Sequence, residues 1–145
     1  MANPNLLING GFEQAPVPKA PPAFWAGTGS SEAAGDQLLG NNNAVLVSGQ
    51  FISQTIPSLL AGENYTFQAG LSVFNPGSFG GTIDVAITGD PTRSFPINNL
   101  VPDSNYAMYN FDFIGSSTPV TVTITCSAVD ETAQIRLDVV SVKLA

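Results

Sequence analysis

Histidine is absent from this chain, cysteine occurs once, and basic residues are scarce: four Lys and Arg against eleven Asp and Glu in 145 residues, for a formal net charge of −7. Without an imidazole there is no Ser-His-Asp or Cys-His nucleophile pair and no HExxH zinc helix. A single thiol excludes an internal disulfide and any cysteine-clustered zinc or iron–sulfur site. Four cations cannot build the basic face that neutralises a phosphate backbone, so nucleic acid is excluded as a partner, and a polybasic membrane patch with it. Long apolar runs are missing as well. No segment approaches the roughly 18 residues of a membrane span, and residues 1–13 lack both the basic start and the apolar stretch of a signal peptide. The expectation is a chain that does not insert into membranes, either a mature domain or one exported without a cleaved signal.

What is present is a core under a nearly uncharged surface. Charged residues are 10% of the chain and apolar residues 43%, whereas a typical soluble domain is roughly 25% charged. Ser, Thr and Asn fill the gap, and 14 Gly with 11 Pro supply turns. A surface that relies on hydroxyls and amides suits sugar binding or self-association.

The dominant period is two, the signature of half-buried strands. In residues 64–74, Tyr65, Phe67, Ala69, Leu71 and Val73 share one face. In 81–88, Ile83, Val85 and Ile87 alternate with Thr82, Asp84 and Ala86. In 118–127, Val120, Val122, Ile124 and Cys126 alternate with Thr121, Thr123 and Thr125. Further strands are predicted at 6–12, 23–27, 44–48, 50–56, 93–97, 106–114 and 133–144, divided by turn sequences such as Asn9-Gly10-Gly11, Asn75-Pro76-Gly77, Gly89-Asp90-Pro91 and Pro102-Asp103-Ser104. Helix is indicated weakly, and only around 31–39. About ten short strands without an internal repeat predict one all-β domain over residues 1–145, a two-sheet antiparallel sandwich. The last strand changes phase: Ile135 and Leu137 share one face while Val140, Val142 and Leu144 continue on the other, so a bulge is predicted at Asp138-Val139. Cys126, in core phase, reads as an inert small hydrophobe.

The segment Asn5-Leu-Leu-Ile-Asn-Gly-Gly-Phe-Glu13, soon followed by Trp25, resembles the opening of bacterial carbohydrate-binding modules with the galactose-binding-domain-like jelly-roll fold, in particular xylan- and glucan-binding families. Three later stretches keep the same order: Gln50-Phe-Ile-Ser-Gln-Thr-Ile56, Leu60-Ala-Gly-Glu-Asn-Tyr-Thr-Phe67 and Ile135-Arg-Leu-Asp-Val-Val-Ser-Val142. The resemblance implies a jelly roll, a polysaccharide or glycan ligand, and an extracellular or cell-surface location. It also implies a structural Ca²⁺ shared by Glu13 and Asp138, hard oxygen donors at the two ends of the chain. The alternative is that both acids accept main-chain N–H groups without a metal.

A sugar offers C–H groups on one face and hydroxyls around its rim, so its site needs an aromatic platform beside planar polar groups. The aromatic candidates are Trp25, Tyr106 and Tyr109, and the hydrogen-bonding candidates Gln54, Gln68, Asp84 and Asn110. Trp25 has a competing role as a core plug beneath the Pro-rich loop 16–22. Catalysis would need paired carboxylates, and Asp84 with Asp112 is the one pair worth weighing; with no nucleophile–base set, the chain is expected not to be an enzyme. The second functional class is a structural subunit assembling with its own copies, since strand edges are ordinarily guarded by Lys and Lys19 and Lys143 are the only lysines.

Overall fold

The computed structural model describes residues 3–14, 20–33, 37–73, 80–101 and 105–145. Ten strands form two five-stranded antiparallel sheets. The first sheet has the order β1 (Ala26–Gly27), β4 (Phe51–Ile56), β9 (Val120–Ala128), β6 (Gly81–Ile87), β7 (Arg93–Pro96); the second has β2 (Ser30–Glu32), β3 (Asn43–Val47), β10 (Gln134–Leu144), β5 (Asn64–Val73), β8 (Ala107–Ile114). A 3-10 turn at Ile97–Asn99 is the only helical element among the described residues. The alternating apolar residues meet between the sheets: Ile52, Val122, Ile124 and Ile83 from the first, Leu46, Ile135, Leu137, Phe67 and Leu71 from the second, each at 2% exposure or less. Cys126 is fully buried among them, and burial pushes its thiol pKa up.

The two-sheet sandwich matches the expected fold class, and the bulge falls where the phase change placed it. β10 pairs with β5 in one register up to Asp138 and in a shifted one from Ser141. Val139 there takes a φ of 45°, which a β-branched residue rarely adopts. Its N–H donates to the Asp138 carboxylate at 2.8 Å and the next N–H, of Val140, to Gly10 C=O at 2.9 Å.

Three predicted elements are corrected. Residues 6–12 are not a strand, because Asn9 and Phe12 have positive φ and turn the chain. The segment still completes the sheet: Leu6 N–H donates to Val142 C=O, while the Asn5 side-chain amide donates to Val140 C=O and accepts from Val142 N–H, standing in for a strand's main chain. Gly10 lies so close to β10 that a Cβ would sit 2.0 Å from Val140 O. The strand at 23–27 shrinks to Ala26–Gly27, since Phe24 has φ +69° and Trp25 N–H closes a turn on Pro22 C=O. Of the helix expected around 31–39, residues 34–36 lie outside the described residues, and the described part is the extended β2 and the segment 37–42, whose amides are spent on carboxylates. The turn sequences at 75–77 and 102–104, Phe74, most of the Pro-rich loop and Lys19 lie outside the described residues.

Candidate functional site

Outward-facing residues of the first sheet line up across its strands. One row runs Phe51, Thr125, Asp84, Ser94 over β4, β9, β6 and β7; the next runs Ala26, Ser53, Thr123, Ala86 from β1 to β6; Thr55 and Thr121 follow. Strand spacing puts Phe51 and Asp84 roughly 10 Å apart. Beyond Phe51 the result is a strip of hydroxyls and methyls on small side chains with one charge, Asp84. Its groups bond to one another: Thr55 and Thr121 share a hydrogen bond of 2.9 Å, and Asp84 accepts from Thr82 and Ser94 at 2.7 Å and from Ser127 at 2.8 Å. Partial burial raises the Asp84 carboxyl, but the three hydroxyl donors outweigh it and hold the pKa below the ordinary value.

At the β1 end the strip opens into a cleft of about 430 Å³ lined by Ile8, Phe24, Trp25, Ala26, Ser53, Gln54 and Thr55. Phe24 is 60% exposed and Ile8 53%. Gln54 positions both: its Nε2 donates to the carbonyls of Ile8 and Phe24, and its Oε1 accepts the Ile8 N–H at 2.7 Å.

The predicted ligand residues do not form one site. Asp84 and Gln54 belong to the first sheet, but Gln54 is engaged by main chain and acts as a positioning residue. Trp25 is 4% exposed, with its indole N–H on Asn9 C=O at 3.0 Å and its ring 5.7 Å from Phe12; it is the core plug, and the exposed ring beside it is that of Phe24. Tyr109 faces the inside of the sandwich, tilted against Phe95 at 5.0 Å, where burial raises its pKa. Tyr106 is half-buried just before β8. Gln68 and Asn110 stand opposite each other on the outer face of the second sheet, on the far side of the molecule. Asp112 is on that face too, accepting from Thr66 at 2.7 Å, so Asp84 and Asp112 cannot flank one bond. Phe24 and Phe51 are the residues that sequence reasoning missed; the positive φ that turns Phe24 outward leaves no mark in the period-two pattern.

Glu13 and Asp138 do converge, on the segment 37–42. Glu13 accepts the N–H groups of Asn41 and Asn42 at 2.5 and 2.6 Å, and Asp138 those of Leu38 and Leu39 at 2.9 Å each. Gly40, at φ +71°, makes room: a Cβ there would lie 2.2 Å from Glu13 Oε1. Burial raises the Asp138 pKa, the amide donors oppose this, and the charge of Glu13 adds to the rise. No cluster of three or more His, Cys, Asp or Glu is placed to hold a metal among the described residues. Gln37 directly precedes the Leu38 and Leu39 amides that Asp138 binds. Gln37 donates its amide to Gly40 C=O at 2.9 Å, and its buried Oε1 has no partner among the described residues.

No family model and no curated relative matches this chain. Solved structures do. A structure titled "CBM4 structure and function" matches with a TM-score of 0.62 at 16% identity, over 96% of this chain and 99% of the other. The chain has the jelly-roll fold of carbohydrate-binding modules. The CBM22-1 xylan-binding domain from Paenibacillus barcinonensis Xyn10C agrees, with a TM-score of 0.60 at 13% identity over 99% and 96% of the two chains. The enzymatically active domain of bacteriophage CBA120 tailspike protein 4 matches 97% of this chain at a TM-score of 0.65 and 15% identity, and there this chain spans 21% of the other's length. The same fold therefore also occurs as one part of a longer, enzymatically active chain.

Proposed function

We propose that the protein is a non-catalytic glycan-binding module, acting outside the cell or on its surface, that takes a segment of neutral polysaccharide along the outer face of the first sheet. The observation that carries this is the hydroxyl strip of β4, β9, β6 and β7, left open to solvent and ended by the exposed ring of Phe24 on a carbohydrate-binding-module fold. Phe24 and Ile8 supply the apolar contact for sugar C–H groups; Ser53, Thr123 and Thr125 supply hydroxyl partners. Asp84, with a lowered pKa and no cation in its hydrogen-bond set, accepts from sugar hydroxyls and disfavours uronates or sulfates. Affinity electrophoresis and a glycan array test the reading. Retardation by neutral polysaccharide is expected, and silence toward all sugars at millimolar concentration contradicts it.

The framework of the fold suits a structural Ca²⁺ held by Glu13, Asp138 and the Gln37 amide oxygen. Gln37 Oε1, which has no partner among the described residues, and two carboxylates without a described cation fit its preference for hard oxygens. The ion would neutralise both acids and tie the two ends of the chain to the 37–42 segment. Added Ca²⁺ is expected to raise the melting temperature and EDTA to lower it; an unchanged value in both cases assigns the two acids to their amide partners alone.

A further inference from the structure

Three of the four sheet edges are poor templates for a further strand. β1 has two residues, β2 has three, and β7 carries Arg93 and Pro96. The fourth edge, β8, has eight residues with no Lys, Arg, Pro or Gly. The ladder shows which of its main-chain groups face outward. Gly115 N–H donates to Glu63 C=O at 2.8 Å and Ala145 N–H to Asn64 C=O at 2.9 Å. In β5 the odd-numbered residues therefore bond to β8 and the even-numbered ones to β10. Residues 107, 109, 111 and 113 are spent on β5, and the N–H and C=O groups of Met108, Asn110, Asp112 and Ile114 point away from the sheet. Among the described residues no main-chain group pairs with them. Their four side chains are exposed, Met108 by 42% and Ile114 by 60%.

We propose that β8 pairs antiparallel with β8 of a second copy of this chain about a two-fold axis at Phe111, joining two second sheets into one. The sequence of β8 favours a copy of itself in that register. Centred on Phe111, Met108 lies opposite Ile114, the Asn110 amide opposite the Asp112 carboxylate, and Tyr109 opposite Phe113. Centred on Asn110, Asp112 would face Met108; centred on Asp112, two carboxylates would meet. In the matched register each copy contributes the N–H and C=O groups of all four outward residues to the new ladder. The proposal does not depend on glycan binding, because the hydroxyl strip lies on the other sheet and stays open in the pair.

Sedimentation of the whole chain across a concentration series tests it. A two-chain species is expected, and Met108→Lys with Ile114→Lys should weaken it roughly tenfold or more per pair, with an unchanged circular dichroism spectrum. A chain that stays single at millimolar concentration overturns the proposal, and so does a two-chain species that the lysines leave unmoved. Should the lysine variant fail to fold, oxidation of an equal mixture of Asn110→Cys and Asp112→Cys chains decides, since Cys126 is buried. Mixed disulfides are expected well above the twofold excess over either homodimer that random pairing gives, and a yield at or below that random ratio overturns the register.

Discussion

The outer face of β9 carries Thr121, Thr123, Thr125 and Ser127, all at least partly open, whereas that of β10 carries Arg136 and Asp138, exposed by 2% and 0%. A charge on the outside of a sheet is buried only when another segment is laid over it, and that segment must then supply partners. Here it does: Asp138 takes three main-chain N–H groups and Arg136 reaches Glu32 at 2.8 Å. This part of the second sheet's face is framework, locked by the N-terminal segment and residues 37–42. On the first sheet, the Thr55–Thr121 pair and the three hydroxyl donors to Asp84 bond within the strip, and its outer face stays at least partly open. The difference separates residues that hold the fold from residues available to a ligand.

Substitutions that break this comparison should divide the same way. The largest effect on stability is expected from Asp138→Ala, about 3 kcal/mol in chemical denaturation, because three part-buried main-chain N–H groups lose the buried carboxylate they share; glycan affinity of the folded fraction should be unchanged. Phe24→Ala is expected to invert that result, with stability within about 0.5 kcal/mol and affinity lowered about tenfold through the loss of an exposed ring. Titration sharpens the contrast at Asp84. With a folded pKa lowered from 3.8, its contribution to stability is complete above 3.8 and is lost as pH falls through the lower folded value. Stability and neutral-glycan binding should thus show no Asp84 titration from neutrality to weak acid, and Asp84→Asn should remove its share of the acid-side loss. The smallest effects are expected from Gln68→Ala and Asn110→Ala, which should leave glycan affinity unaltered in the same electrophoresis.

Much of the fold was legible in the sequence because each sheet face follows a period of two: β5, β6, β9 and the bulge in β10 lie where the alternation of Tyr65, Ile83, Val122 and Ile135 places them. The N-terminal stretch was misread because its order does not come from alternation. The amide of Asn5, the turn at Asn9 and the close approach of Gly10 do the pairing there. The site was legible only in part. Period two assigns Gln68, Asp84 and Asn110 to polar faces, yet it cannot say which sheet owns a face, and these residues end on opposite sides of the sandwich. Nor does it report a left-handed φ, so the exposed ring of Phe24 was not foreseen, while Trp25 takes the core-plug role, one of the two expected of it. The pairing of Glu13 and Asp138 was reached through resemblance, and the structure brings both acids to one segment while assigning each its amide donors.

The central claim is that the outer face of the first sheet binds the glycan. Titrating the isotopically labelled chain with soluble neutral oligosaccharides, and following its backbone amides by NMR, tests that claim directly. Shifts are expected to concentrate at Phe24, Ser53, Thr123, Thr125 and Asp84, with Gln68 and Asn110 silent. Shifts confined to the Gln68 and Asn110 face, or none at millimolar sugar, would contradict the account.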